Sequence, residues 1–194
     1  MTTELAPAIF RQLRAAIETI QSHGAPRCVW LPVSLLVLDD AVRATCENGR
    51  CNGYQRNYMC PPFIGDFETI RERLSWFDSG VLIQKSYPLS DKRDFDAIVH
   101  TQRDFHAFVH DAEKFLAAAG IKNHWGMIGG QCVLCVPCKA ESGAPCAYPD
   151  KARNSLESIG VRVLALARKL HMDAEFHDDK IVWTGCVLWC QHDG

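Results

Sequence analysis

Apolar side chains recur along the chain at two different spacings, and the alternation between them predicts interleaved helices and strands. Over residues 4–22, Leu5, Ile9, Leu13, Ala16, Ile17 and Ile20 keep a helical spacing that stops at His23-Gly24, with Pro26 beyond. Cys28 to Val37 is near-continuously apolar and reads as a buried strand, with a helix through Leu35 to Ala44 as the alternative. Asp66 to Phe77 predicts a helix capped by Asp66 with Glu68 in its first turn, and Gly80 to Tyr87 predicts a strand. The longest periodic segment is Asp94 to Ala119, in which Ile98, Phe105, Val109, Ala112 and Leu116 form one stripe and Gly120 closes the helix. A short apolar piece, His124 to Ile128, follows. Two helical pieces then flank Gly160, and Lys180 to Cys190 predicts a final strand.

Between these elements lie two stretches without periodicity, Cys46 to Pro62 and Gly129 to Pro149, dense in Gly, Pro and Cys. Strands interleaved with helices predict an α/β or α+β fold: residues 1–194 as a single domain with a central sheet flanked by helices and two cysteine-rich metal-binding loops. At 194 residues the chain can bury a sizeable core without staples, so it needs no metal merely to fold. Its formal charge of -2 argues against a nucleic-acid partner bound by bulk electrostatics. No basic stretch followed by an apolar core opens the chain, and the apolar run from Cys28 to Leu38 falls well short of the roughly 20 residues a membrane span requires. A cytoplasmic protein with no membrane partner is expected, and there its ten cysteines stay reduced and point to metal or redox chemistry.

Cys132, Cys135, Cys138 and Cys146 form the pattern C-x2-C-x2-C-x7-C, with Pro149 shortly after. Three cysteines spaced by two residues let one tight loop wrap three corners of a cubane, and the fourth thiolate arrives from the next turn. Zinc, for which paired C-x2-C suffices, is the alternative metal. In the earlier loop Cys46, Cys51 and Cys60 are spaced x4 and x8, and Pro61-Pro62 follows. Three thiols complete a second cluster only if a fourth ligand comes from elsewhere, with Cys28, Cys186 and Cys190 as candidates, or if one iron stays open to substrate. Structural thiols or a zinc knuckle remain the plainer reading of this loop.

The run R-A-T-C from Arg43 through C-P-P at Pro62, and the run from Gly129 through R-N-S-L-E-S-I-G-V-R-V, resemble the predicted metal-binding family called domain of unknown function 2284. The resemblance covers most of the chain. It implies a small cytoplasmic iron-sulfur protein and carries a metal-ligand role to Cys46, Cys51, Cys60, Cys132, Cys135, Cys138 and Cys146. Cys186 and Cys190 lie outside the pattern.

Other residues are weighed against plainer roles. His106 and His110 are four apart on the long helix, His106 at the edge of its apolar stripe and His110 further out, and both read as boundary histidines rather than ligands. Lys151 and Arg153 can offset the negative charge of a thiolate-ligated cluster, and Ser155 can hydrogen-bond sulfur; ordinary helix-start chemistry is the alternative. Trp125, Tyr54 and Tyr58 are expected to shield the site from water. No phosphate-binding, dinucleotide or nucleophile-elbow motif is present. The expected function is redox: electron transfer through one or two [4Fe-4S] clusters, with a redox partner protein. An enzyme with an open iron at the three-cysteine site and a zinc-stabilised interaction module are the rival readings, so catalysis itself stays open.

Overall fold

The computed structural model describes residues 27–190 together with Ala8, Phe10 and Arg11. Four antiparallel strands, β1 (Arg27–Trp30), β2 (Ser79–Pro88), β3 (His124–Met127) and β4 (Lys180–Trp189), form one sheet in the order β1-β2-β4-β3. The helices are α1 (Asp40–Thr45), α2 (Phe67–Ser75), α3 (Phe95–Ala118) and α4 (Val163–Lys169). This is an α+β fold. The long β2–β4 ladder forms its centre, from Ser79 opposite Trp189 to Pro88 opposite Lys180.

Strand alternation sorts the core into two layers. Val81, Ile83, Val187 and Trp189 face α3, whose Phe105, Phe108, Val109, Ala112 and Leu116 cover that side. On the other side Leu82, Cys186 and Leu188 meet Ile70 and Leu74 of α2, Leu156, Ile159 and Leu166. Each such side chain removed from water contributes roughly 1.5–3 kcal/mol, so the main apolar burial of the fold lies on the two faces of the sheet.

Most predicted elements form with shifts of one or two residues at their ends. Asp66 caps α2 by accepting from the Thr69 N–H at 2.9 Å, Asp94 caps α3 through the Ala97 N–H at 2.9 Å, and Gly120 follows in the left-handed conformation. Three expectations are corrected. The strand expected over Cys28–Val37 ends at Trp30, because Pro32 has no N–H for the ladder; a short 3-10 turn (Val33–Leu35) follows, and then α1, capped by Asp39. The first of the two pieces flanking Gly160 is a run of turns rather than a helix. Isolated bridges tie its ends, Ser155 to Ile128 and Val161 to Leu38, while Gly160 takes φ +94° where a Cβ would strike the Phe67 ring at 2.6 Å. Third, His106 lies 1% exposed, inside the α3 interface and not at its boundary. The helix expected over residues 4–22 lies outside the described residues except at Ala8, Phe10 and Arg11, which are helical. Among the described residues no helix is long and apolar enough to cross a membrane.

Leu156 is fully buried in the second layer. Leu156→Ala should lower the unfolding free energy by about 2–5 kcal/mol in urea titrations while leaving the far-ultraviolet dichroism of the folded protein unchanged.

Candidate metal centre

The two cysteine loops, far apart in sequence, pack against each other. The first leaves α1 through a π-helical turn (Cys46–Arg50) and continues as turns to Ile64; the second leaves β3 and runs irregularly, with one 3-10 turn (Lys139–Ser142), toward Pro149. Asn57 donates from Nδ2 to the Cys132 carbonyl at 2.8 Å, and the Tyr58 hydroxyl donates to the Ala144 carbonyl at 2.8 Å. Both bonds join one loop to the other. Arg56 and Glu141 add an exposed ion pair at 3.0 Å, worth little by itself. Gly53 stands where any Cβ would lie 2.7 Å from the Cys60 Sγ and 2.7 Å from Gln131 Oε1, so the backbone must pass bare over the thiol.

The thiols of both loops consequently share one neighbourhood. Burial pushes Cys60 up to about 12, and the negative potentials of Cys51, Cys46, Cys132 and Cys138 add to the shift. Cys46 is likewise raised, first by burial, then by Cys51; Arg43 opposes the shift and Glu157 adds to it. Cys132 is raised by burial against the opposing effect of two backbone N–H groups, from Leu134 and Arg153, that donate to its sulfur. Cys135, Cys138 and Cys146 are half-buried. Packing thiols this closely is unfavourable once they ionise unless a cation joins them, and metal ions supply that charge. Among the described residues no three His, Cys, Asp or Glu side chains converge tightly enough to hold a single metal ion.

Helix α3 holds the second loop by its carbonyls. Gln102 Nε2 donates to the carbonyls of Gly129 at 3.0 Å and Gln131 at 2.8 Å, and Arg103 Nε donates to Val133 at 3.0 Å. One turn on, His106 donates from Nε2 to Lys151 at 2.7 Å. Gly130 adopts φ +68° directly beneath Gln102, where a Cβ would lie 2.5 Å from the amide nitrogen. These side chains belong to the helix, yet they fix the entry, the first turn and the exit of the cysteine loop.

Several expected roles fall to different atoms. Arg153 turns its guanidinium to Glu113, at 2.6 Å, and offers Cys132 its backbone N–H instead of its charge. Burial pushes the Glu113 carboxyl up, but hydrogen bonds from His124, Arg153 and the Gly126 N–H outweigh it and hold the group below its usual range. Ser155 bonds the Ser158 N–H and the Glu157 side chain rather than sulfur. Trp125 packs in the core, donating to Asn154 Oδ1 at 3.0 Å with the Arg73 guanidinium 3.9 Å above its ring. Cys186 is sealed in the same core, with Glu113 as the charged group that adds to the upward push of burial. Cys28 lies on edge strand β1, opposite Ile83. Cys190 follows the end of β4 that pairs with His124, the far end from the loop that leaves Met127. The structure therefore brings Cys46, Cys51, Cys132 and Cys138 near Cys60, with Cys135 near Cys132, while Cys28 and Cys186 lie on the sheet and Cys190 just past the end of β4.

Four contributors escape sequence reasoning, Gly53, Asn57, Gln102 and Arg103, and Glu157, which stands beside Ser155 in the sequence after the second loop, takes a role the sequence does not assign. Burial raises the Glu157 carboxyl, whose Oε2 is sealed from water without a hydrogen-bond partner, and its field reaches Cys46. The available signal was polar side chains inside or beside otherwise apolar periodicity, as at Gln102 and His106.

A family model described as "Predicted metal-binding protein (DUF2284)" matches residues 29–189. No curated protein and no solved structure matches the chain.

Burial holds His106 below its ordinary value of 6.5, with Arg153 and His110 adding to the shift and the bond to Lys151 opposing it. The unfolded chain therefore takes up this proton first as pH falls, and stability is lost from just below pH 6.5 downward. Between pH 7 and 5.5, His106→Gln should show a shallower loss of unfolding free energy than the parent protein in paired denaturant titrations; parallel slopes would contradict the assignment.

Proposed function

The chain belongs to this family of predicted metal-binding proteins, and we propose that its metal is iron held with inorganic sulfide. Cys132, Cys135, Cys138 and Cys146 hold one [4Fe-4S] cluster, and Cys46, Cys51 and Cys60 hold a second. The observation that carries this reading is the convergence of thiols from both loops on Cys60. When bound, such clusters accept and release single electrons at potentials set by their surroundings.

The chain's own residues supply those surroundings. The N–H groups of Leu134 and Arg153 donate to the Cys132 sulfur, favouring its thiolate and, by the same bonds, raising the potential of a cluster it holds. Arg43 sets a positive charge near Cys46 while its Nη2 donates to the Gly65 carbonyl at 2.6 Å. Gly53 and the bonds from Asn57 and Tyr58 keep the loops in contact, which gives electrons a short path between the two sites. Phe63, Val136 and Tyr148, exposed on the same loops, offer apolar surface to a redox partner protein.

A second reading, an enzyme with an open iron at the three-cysteine loop, is favoured by one observation: a cavity lined by Val42 and Glu157 lies beside Cys46. Added cyanide should alter the electron paramagnetic resonance spectrum of the reduced protein if that iron is open and leave it unchanged if both clusters are saturated.

Metal analysis decides the main reading. Anaerobically purified protein should contain iron with an equal amount of acid-labile sulfide, and Cys135→Ser should remove about four irons per chain. Zinc without sulfide, or unchanged iron in Cys135→Ser, would overturn it.

A further inference from the structure

A cavity of about 740 Å³ opens between α4, β4 and the start of the second cysteine loop. Its walls are mainly apolar, with Val161, Leu164, Ile181, Val182 and the Trp183 ring prominent. Small-molecule sites fall in the range of roughly 300–1,000 Å³ and share this apolar character. Three observations define what would fit.

The first is charge. The basic side chains lining the cavity are Lys92, Arg162, Arg168, His177 and Lys180, and each already has an acidic partner: Asp178, Asp39 and Glu175 for the first three, and Asp173 for the last two. The mouth offers no unpaired cation to an anionic ligand. The second is Glu157, which lines the cavity and whose carboxyl oxygen Oε2 has no hydrogen-bond partner. The terminal torsion of a glutamate is soft, so this oxygen is free to turn toward a ligand in the cavity that its side chain lines. The third is Phe176, which lines the same cavity while 90% exposed, an apolar side chain at its margin.

We propose that this cavity binds a small, uncharged, mainly apolar molecule carrying one hydroxyl group, which donates to Glu157 while Phe176 folds over the apolar body. Gly129 and Gly130, immediately before the second cysteine loop, line the cavity, and Val42 lines it one turn before Cys46. A bound molecule therefore lies against the roots of both cysteine loops. The inference stands on the cavity itself and holds whichever metal the cysteines carry, so its failure is distinguishable from failure of the iron-sulfur reading.

The test compares three probes of one shape, 2-naphthol, naphthalene and 2-naphthoate, by equilibrium dialysis against the full-length protein purified anaerobically with its metal. 2-Naphthol should bind saturably at one site per chain, naphthalene about fivefold more weakly for want of one hydrogen bond, and 2-naphthoate more weakly still. Glu157→Gln should keep the preference for 2-naphthol over naphthalene, and Glu157→Leu should abolish it. Ala165 is exposed on α4 and lines the cavity, so Ala165→Trp fills the space without disturbing the core and should weaken 2-naphthol at least tenfold even if the Glu157 variants fail to fold. Absence of saturable binding, tightest binding by 2-naphthoate, or unchanged affinity in Ala165→Trp would overturn the proposal.

Discussion

The grip of α3 on the second cysteine loop is the constraint on which the rest of the site depends. A loop of Gly, Pro and Cys has few apolar side chains to order it, and its backbone carbonyls must find donors or water. Gln102, Arg103 and His106 provide those donors from one side of a helix already fixed by Phe105, Val109 and Leu116 against the sheet. The stability of the core is thereby passed to a segment that has almost none of its own. Once the second loop is held, the first is held through it, by the Asn57 and Tyr58 bonds.

Such an arrangement separates two jobs that a smaller metalloprotein combines. The sheet, covered on both faces, folds by apolar burial, and the cysteines are gathered at its margin by polar contacts. Buried thiols and the carboxyl of Glu157 then lie together, each raised by burial and several by one another. That accumulation of potential negative charge is unfavourable in an apolar setting and becomes favourable when metal cations bind, the usual physical basis for a fold that stores affinity for a metal.

The cavity shares walls with the centre. Its lining includes the residues that root both cysteine loops, together with Glu157, whose field reaches Cys46. The cavity and the thiols are therefore neighbours that share Glu157.

Local patterns alone determined much of this. The α2 and α3 helices, the β2 and β4 strands, the caps at Asp66 and Gly120, and the two irregular loops were legible because each follows from spacing and capping chemistry within a few residues. The spacing of Cys132, Cys135, Cys138 and Cys146 was equally plain, being a property of one loop. Only the tertiary structure decided that the two loops meet, that Arg153 offers its N–H to Cys132 and its guanidinium to Glu113, and that Cys186 stays in the sheet with Cys190 just past its end. It likewise turned the segment before Gly160 into a bridged turn and buried His106 at the clamp. The physical reason is common to all of these: they are pairings between segments dozens of residues apart, set by strand register and by which buried carbonyl needs a donor, and no short-range periodicity encodes either.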